Sequence, residues 1–132
     1  MEITRVKLTA NHFSTGLIKP GSPIRHSIEL KKDGSENILI KKMEYIEEGL
    51  KVKAQVKEMV CVDAEVIFSK IRKLKLEDCK NNYFDDKSRE RYQSWVLEYD
   101  QFGKQFKIIG TYNNLIEEFQ IIAKLLNFSD FP

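Results

Sequence analysis

Tyr92-Gln93-Ser94-Trp95-Val96-Leu97-Glu98-Tyr99, then Asp100-Gln101-Phe102-Gly103-Lys104, then Gln105-Phe106-Lys107-Ile108-Ile109-Gly110: this run, carried on to Phe128, decides the fold. Successive strand residues point to opposite faces, so Trp95, Leu97 and Tyr99 share one face and Ser94, Val96 and Glu98 the other. Asp100–Lys104 breaks the alternation, and Gly103 supplies the positive φ needed by a hairpin loop of about three to five residues. Phe106 and Ile108 resume the apolar face with Lys107 opposite, and Gly110 closes the strand. Asn114-Leu115-Ile116-Glu117 has the form of a helix start, with Asn114 placed to accept from first-turn N–H groups and Glu117 to reach back. Leu115, Phe119, Ile122 and Leu126, widened by Ile116 and Leu125, make one helical stripe. A helix this short is marginal in water by itself, so the stripe must lie on the apolar face of the hairpin before it.

Upstream, the chain reads as material that completes a sheet. Met1–Leu8 alternates as a strand, and residues 11–22 are a turn-rich connection in which Phe13, Leu17 and Ile18 are expected to pack. Ile24, His26, Ile28 and Leu30 resume strand spacing, Asp33-Gly34 marks a hairpin, and Ile38 and Ile40 return with Leu39 on the other face. Glu47-Glu48-Gly49 turns the chain again. Leu50, Val52, Ala54 and Val56 then alternate with Lys51, Lys53, Gln55 and Lys57, the cleanest strand pattern present, with one apolar and one basic face. Asp63 is a helix cap by type, and Ile67, Ile71 and Leu74, supported by Val66 and Phe68, keep helical spacing. Residues 77–91 read as a polar loop with Tyr83 and Phe84 as apolar exceptions. The expectation is a single α+β domain over residues 1–132. It has an antiparallel sheet of about six strands, in the order β-β-β-β-α-β-β-α, with two helices on one face.

Composition agrees with one core: 132 residues, 42% of them hydrophobic. No run reaches the roughly 18–20 apolar residues of a membrane span, and the charged, alternating start lacks a secretory apolar segment, so the cytoplasm is expected. A net charge of +2 is too small for the clustered charge of a nucleic-acid-binding domain. Lys51, Lys53 and Lys57 on a strand and Lys70, Arg72, Lys73 and Lys75 on a helix are basic but lack interleaved aromatics, so they read as solubility and edge protection by lysine.

Chemistry-bearing motifs are few. His12, His26, Cys61 and Cys79 have no metal-ligand spacing; His26 is expected on the solvent face of its strand and both thiols, reduced, in the core. Neither cysteine sits in a nucleophile context, and no serine has a G-x-S-x-G surround. Asp85-Asp86 and Glu47-Glu48 are neighbours whose side chains diverge, unlike an acid–base pair in two environments. Lys19-Pro20-Gly21-Ser22 and Gly103-Lys104 lack phosphate-loop spacing. No catalytic residue, metal ligand or cofactor is implied. Asn81-Asn82-Tyr83-Phe84-Asp85-Asp86 sets two aromatics beside two acids, a composition favoured at interfaces, so Tyr83, Phe84, Asp85 and Asp86 are the candidate partner-binding residues. The competing reading is that Tyr83 and Phe84 anchor a long loop.

The run Leu76…Tyr83…Trp95-Val96-Leu97…Gly110-Thr111-Tyr112-Asn113-Asn114…Phe119 resembles small uncharacterised bacterial α+β proteins. In those, a Trp-x-Leu strand, a turn, a Gly-x-Asn segment and a C-terminal helix follow in order. Here the proline usual near the start of the last helix is missing, and Tyr112-Asn113 is shifted. The resemblance implies a fold and a bacterial cytoplasmic setting, and carries no catalytic residues. The function expected is a non-catalytic protein-binding module, with toxin-neutralising immunity proteins as the specific case by analogy. A small enzyme or ligand-binding protein with a site assembled from distant residues is the alternative, and a nucleic-acid accessory protein the third.

Overall fold

Leu8 lies across from Ile28 on one side and Leu97 on the other, and Leu97 in turn faces Ile108. Residues directly opposed in an antiparallel ladder share a face, so this row runs through the heart of the molecule. A parallel row, Leu39, Leu30, Val6, Tyr99 and Phe106, flanks it.

The computed structural model describes residues 3–12, 21, 23–47, 51–85 and 93–128. Its strands are β1 (Ile3–His12), β2 (Pro23–Asp33), β3 (Glu36–Ile46), β4 (Val52–Val60), β5 (Asn82–Tyr83), β6 (Gln93–Gln101) and β7 (Lys104–Thr111). They form one sheet in the order β4-β3-β2-β1-β6-β7-β5. Helices α1 (Ala64–Arg72) and α2 (Glu117–Leu125) bury Ile67, Phe68 and Ile71, and Phe119, Ile122 and Ala123, in one cluster with Val6, Leu8, Ile28, Leu30 and Leu97. Those sheet residues lie on a single face, so both helices cover the same side.

The class is α+β and the sheet is largely antiparallel, but six strands is one too few. β5 pairs parallel to β7, Asn82 with Ile109 and Tyr83 with Gly110, and makes the sheet mixed. The order is therefore β-β-β-β-α-β-β-β-α. A two-residue strand has no period to detect; it exists because Gly110 lets Tyr83 come close. A Cβ on Gly110 would meet Trp95 Cζ2 at 2.6 Å and Tyr83 Cβ at 2.8 Å.

Local expectations were corrected elsewhere. Gln101 pairs with Lys104, so the β6–β7 loop is the two residues Phe102-Gly103, both at positive φ (58° and 73°). That is the type I′ pattern, whose twist matches the flanking strands. Asp63 holds the cap position of α1 without a side-chain cap bond, and its carboxylate accepts from Cys61 Sγ at 3.3 Å. Val66 faces solvent, and both thiols are half-buried rather than core. Asn114 does not cap α2, which begins after Ile116; its amide donates to the Tyr83 carbonyl at 3.1 Å. The expected packing of Phe13, Leu17 and Ile18 falls outside the described residues.

Around β1 the opposite face of the sheet carries a polar lattice. The Arg5 guanidinium donates to Glu29 and, at 3.2 Å, to Asp100, joining β1, β2 and β6. Arg25 donates to Asn11 at 2.8 Å and to Glu44 at 3.1 Å. One solvated face is the usual state of an antiparallel sheet. No helix among the described residues is long and apolar enough to cross a membrane.

Candidate functional site

The loop singled out for its aromatics and acids is tied to the fold. The Tyr83 ring lies 5.9 Å from that of Trp95, and its hydroxyl accepts from the Lys80 N–H at 3.0 Å. The Asp85 N–H donates to Thr111 Oγ1 (3.2 Å), the Thr111 hydroxyl to Asn113 Oδ1 (2.6 Å), and Asn113 Nδ2 to the Asp85 carboxylate (2.7 Å). This closed ring of bonds uses Asp85 as a fastener. Phe84 remains 38% exposed, its N–H turned onto Asn82 Oδ1 at 2.8 Å. Asp86 lies outside the described residues. The structure thus brings Tyr83, Asp85, Trp95 and Thr111 together as an anchor, and presents Phe84 outward.

His26 departs from its expected place. It is buried on the helix side of β2, not on the solvent face, because it shares parity with Ile28 and Leu30. Its ring meets His12 edge-on at 5.2 Å, and His12 Nδ1 lies 3.3 Å from the Tyr112 hydroxyl. The cysteines are elsewhere: Cys61 contacts Asp63, and Cys79 lies beside Glu118. Burial raises both thiols, with Asp63 and Glu118 adding to the effect, so neither is an activated nucleophile. Among the described residues, no three of His, Cys, Asp and Glu converge as a metal site would require.

The open part of the molecule is the β3–β4 end of the sheet. β4 pairs only with β3, from Ile38–Val60 to Ile46–Val52, and its other backbone edge faces outward among the described residues. The strand with the cleanest alternation is thus the least buried. Val52, Val56 and Val60 are 56%, 57% and 55% exposed and stand on the face away from the helices. Lys53, Gln55, Lys57 and Met59 occupy the helix side, as their partners Tyr45, Met43, Lys41 and Leu39 do. The helices stop short of this end and leave a groove of about 440 Å³. Ile28, Met43 and Phe128 supply its apolar lining, and Lys41, Lys57 and Gln55 its polar rim.

Phe128 reaches the groove because of how α2 ends. Asn127 adopts positive φ (55°), the Phe128 N–H donates to the Ala123 carbonyl at 2.8 Å, and the Asn127 N–H to that of Lys124 at 3.2 Å. These two bonds are a Schellman motif, which turns the chain sharply off the helix axis. Sequence reasoning found the basic and apolar faces of β4 and read its lysines as edge protection, but did not find the groove beside them. A lysine-bearing face beside exposed valines is the signal of an edge strand.

No protein-family model and no curated protein matches this chain.

Proposed function

We propose that this chain is a non-catalytic protein-binding module, and that it docks an extended segment of its partner along β4. The observation that carries this reading is the nine-residue edge strand, whose valine row is more than half exposed. An edge strand presents unpaired N–H and C=O groups, and strand addition satisfies them while alternate side chains confer specificity. A toxin neutralised by occlusion is the narrower case of the same function. A second reading, a small-ligand-binding protein, is favoured by the groove, whose volume falls in the usual range of about 300–1,000 Å³.

The test compares the protein with Val56→Lys/Val60→Lys, two exposed changes that spare the core. A partner captured from extract at equal stoichiometry should be retained by the native protein and lost by the variant. Hydrogen exchange of the β4 amides should slow in the complex. Undiminished capture by the variant, or β4 amides that exchange as before, would remove strand addition from consideration.

A further inference from the structure

Apart from Asp33 and Glu36, which face each other beside the β2–β3 turn, charged residues elsewhere on this sheet that pair with charged residues meet or bind opposite charges. Lys7 stands between Glu29 and Glu98, Lys107 faces Glu98, and Arg25 faces Glu44. Where Arg5 faces Lys31, Glu29 and Asp100 bind its guanidinium. Lys53 on β4 is held by Glu47 at 2.9 Å. Lys41 and Lys57 break the pattern. They are directly opposed across β3 and β4 on the helix side, both exposed, and no carboxylate of a described residue lies within ion-pair distance of either. Like charges directly opposed destabilise a sheet. Here the pair stands at a groove whose lining mixes Ile28, Met43 and Phe128 with His26 and Asn127 and holds no carboxylate, the arrangement expected when the neutralising charge arrives with a ligand.

We propose that the groove seats an acidic side chain of the strand that docks on β4, with the carboxylate held between Lys57 and Lys41. This inference rests on the docking reading above and names the chemistry of its partner. A guest residue opposite Lys57 would have its Cβ about 5 Å from that of Lys57. Lys41 stands one strand spacing further, roughly 4.8 Å, within the span of a glutamate and a lysine side chain extended toward each other. The guest's other face would meet Val52, Val56 and Val60. The partner segment therefore alternates acidic residues on the groove side with apolar residues on the valine side. A second copy of this chain, continuing the sheet with its helices on the same side, would bring Lys53, Gln55, Lys57 and Met59 to the groove and no carboxylate from β4. That register leaves the lysines unneutralised, so charge complementarity favours an acidic heterologous segment.

The test uses the full chain and three fluorescein-labelled peptides of β4's length: one alternating Val and Glu, its Glu→Gln analogue, and the Glu peptide N-methylated at alternate residues. Anisotropy titration at low salt should give binding of the Glu peptide about tenfold tighter than of the Gln peptide. The preference should vanish in Lys41→Gln/Lys57→Gln and shrink as salt is raised. Both lysines are exposed, so the circular dichroism of that variant should match the native protein, and relief of their repulsion should leave its melting temperature no lower. N-methylation should abolish binding. If Glu and Gln peptides bind equally and N-methylation still abolishes binding, docking on β4 stands and the acidic seat falls. If no peptide binds, or N-methylation is without effect, the docking reading falls and takes this inference with it. Sedimentation of the protein alone should show a monomer; a dimer lost on Val56→Lys would assign the edge to a second copy and overturn the proposal.

Discussion

Gly110→Ala is the sharpest test of how the sheet holds its last strand. An added methyl would sit 2.6 Å and 2.8 Å from two ring carbons of Trp95 and 2.8 Å from Tyr83 Cβ. Carbon–carbon contacts are optimal near 3.5–4.0 Å, so the overlap is roughly an ångström in two directions. Neither neighbour can give way cheaply. Trp95 is fully buried, donates its indole N–H to the Thr111 carbonyl at 3.0 Å and packs against Phe119 at 5.3 Å. Tyr83 is paired through its backbone and held by Asn114. Overpacking of this kind costs about 1–3 kcal/mol, and the lower chain entropy of alanine in the unfolded state offsets only about 0.4–1 of it. With neither neighbour free to yield, the upper end of the range applies, and the net expectation is a loss of about 2 kcal/mol. Urea unfolding should be followed both by the fluorescence of Trp95, the sole tryptophan, and by far-ultraviolet circular dichroism. The midpoint should fall by roughly 1 M with an unchanged slope. Gly103→Ala, which meets nothing within 4 Å but sits at φ +73°, separates backbone strain from crowding. A Gly110→Ala midpoint equal to or above the native one would refute the close approach.

Phe119→Ala, which empties a fully buried site against Trp95, should lower stability by about 3–5 kcal/mol in the same assay, and a near-neutral result would contradict the packing of α2 on the sheet. Burial works against the charge of Arg5, but its bond to Glu29 and the charges of Glu29 and Asp100 raise its pKa overall. Arg5→Met would leave the two acids without their cation on a partly shielded face, and a loss of about 1–2 kcal/mol is expected, partly recovered by adding Asp100→Asn. Burial also raises the Cys61 and Cys79 thiols above 9.0 and the Tyr99 phenol above 10.0. Their neutral forms thus favour the folded state, a contribution complete below the unfolded pKa values and lost as pH rises through the folded ones. Stability should decline from about pH 9 upward, and a flat profile from about pH 8 to pH 10.5 would contradict it.

Much of this fold could be read from residue order, because period is a strong signal where it lasts. Trp95, Leu97 and Tyr99 lie on the buried face their alternation implies, and Phe119, Ile122 and Leu126 lie on the buried stripe. The failures have physical causes. Two residues cannot show a period, so β5 was invisible. Asp63 and Asn114 have the chemistry of caps, yet cap residues hydrogen-bond whatever lies near, and here Cys61 and Tyr83 were nearer. Alternation along β4 shows that its two faces differ but not which one the helices cover. His26 could have been found by parity with Ile28 and Leu30. For the site, the basic and apolar faces of β4 were visible, whereas the groove needs Phe128 brought back by the turn after α2, a convergence no local pattern encodes.

The position of β1 between β2 and β6 has a consequence for how the molecule comes to be made. Leu8 finds Ile28 soon after both leave the ribosome, but its other neighbour, Leu97, emerges much later. In the interval the β1–β4 meander is a sheet with two open edges, and its apolar face carrying Val6, Leu8, Ile28 and Leu30 has α1 but not α2 to cover it. Such non-local pairing slows folding, and half-built sheets are prone to aggregate. The rate-limiting event should be the arrival of β6 against β1. A chain cut short before Gln93 would then behave as a client for chaperones, not as a smaller folded protein.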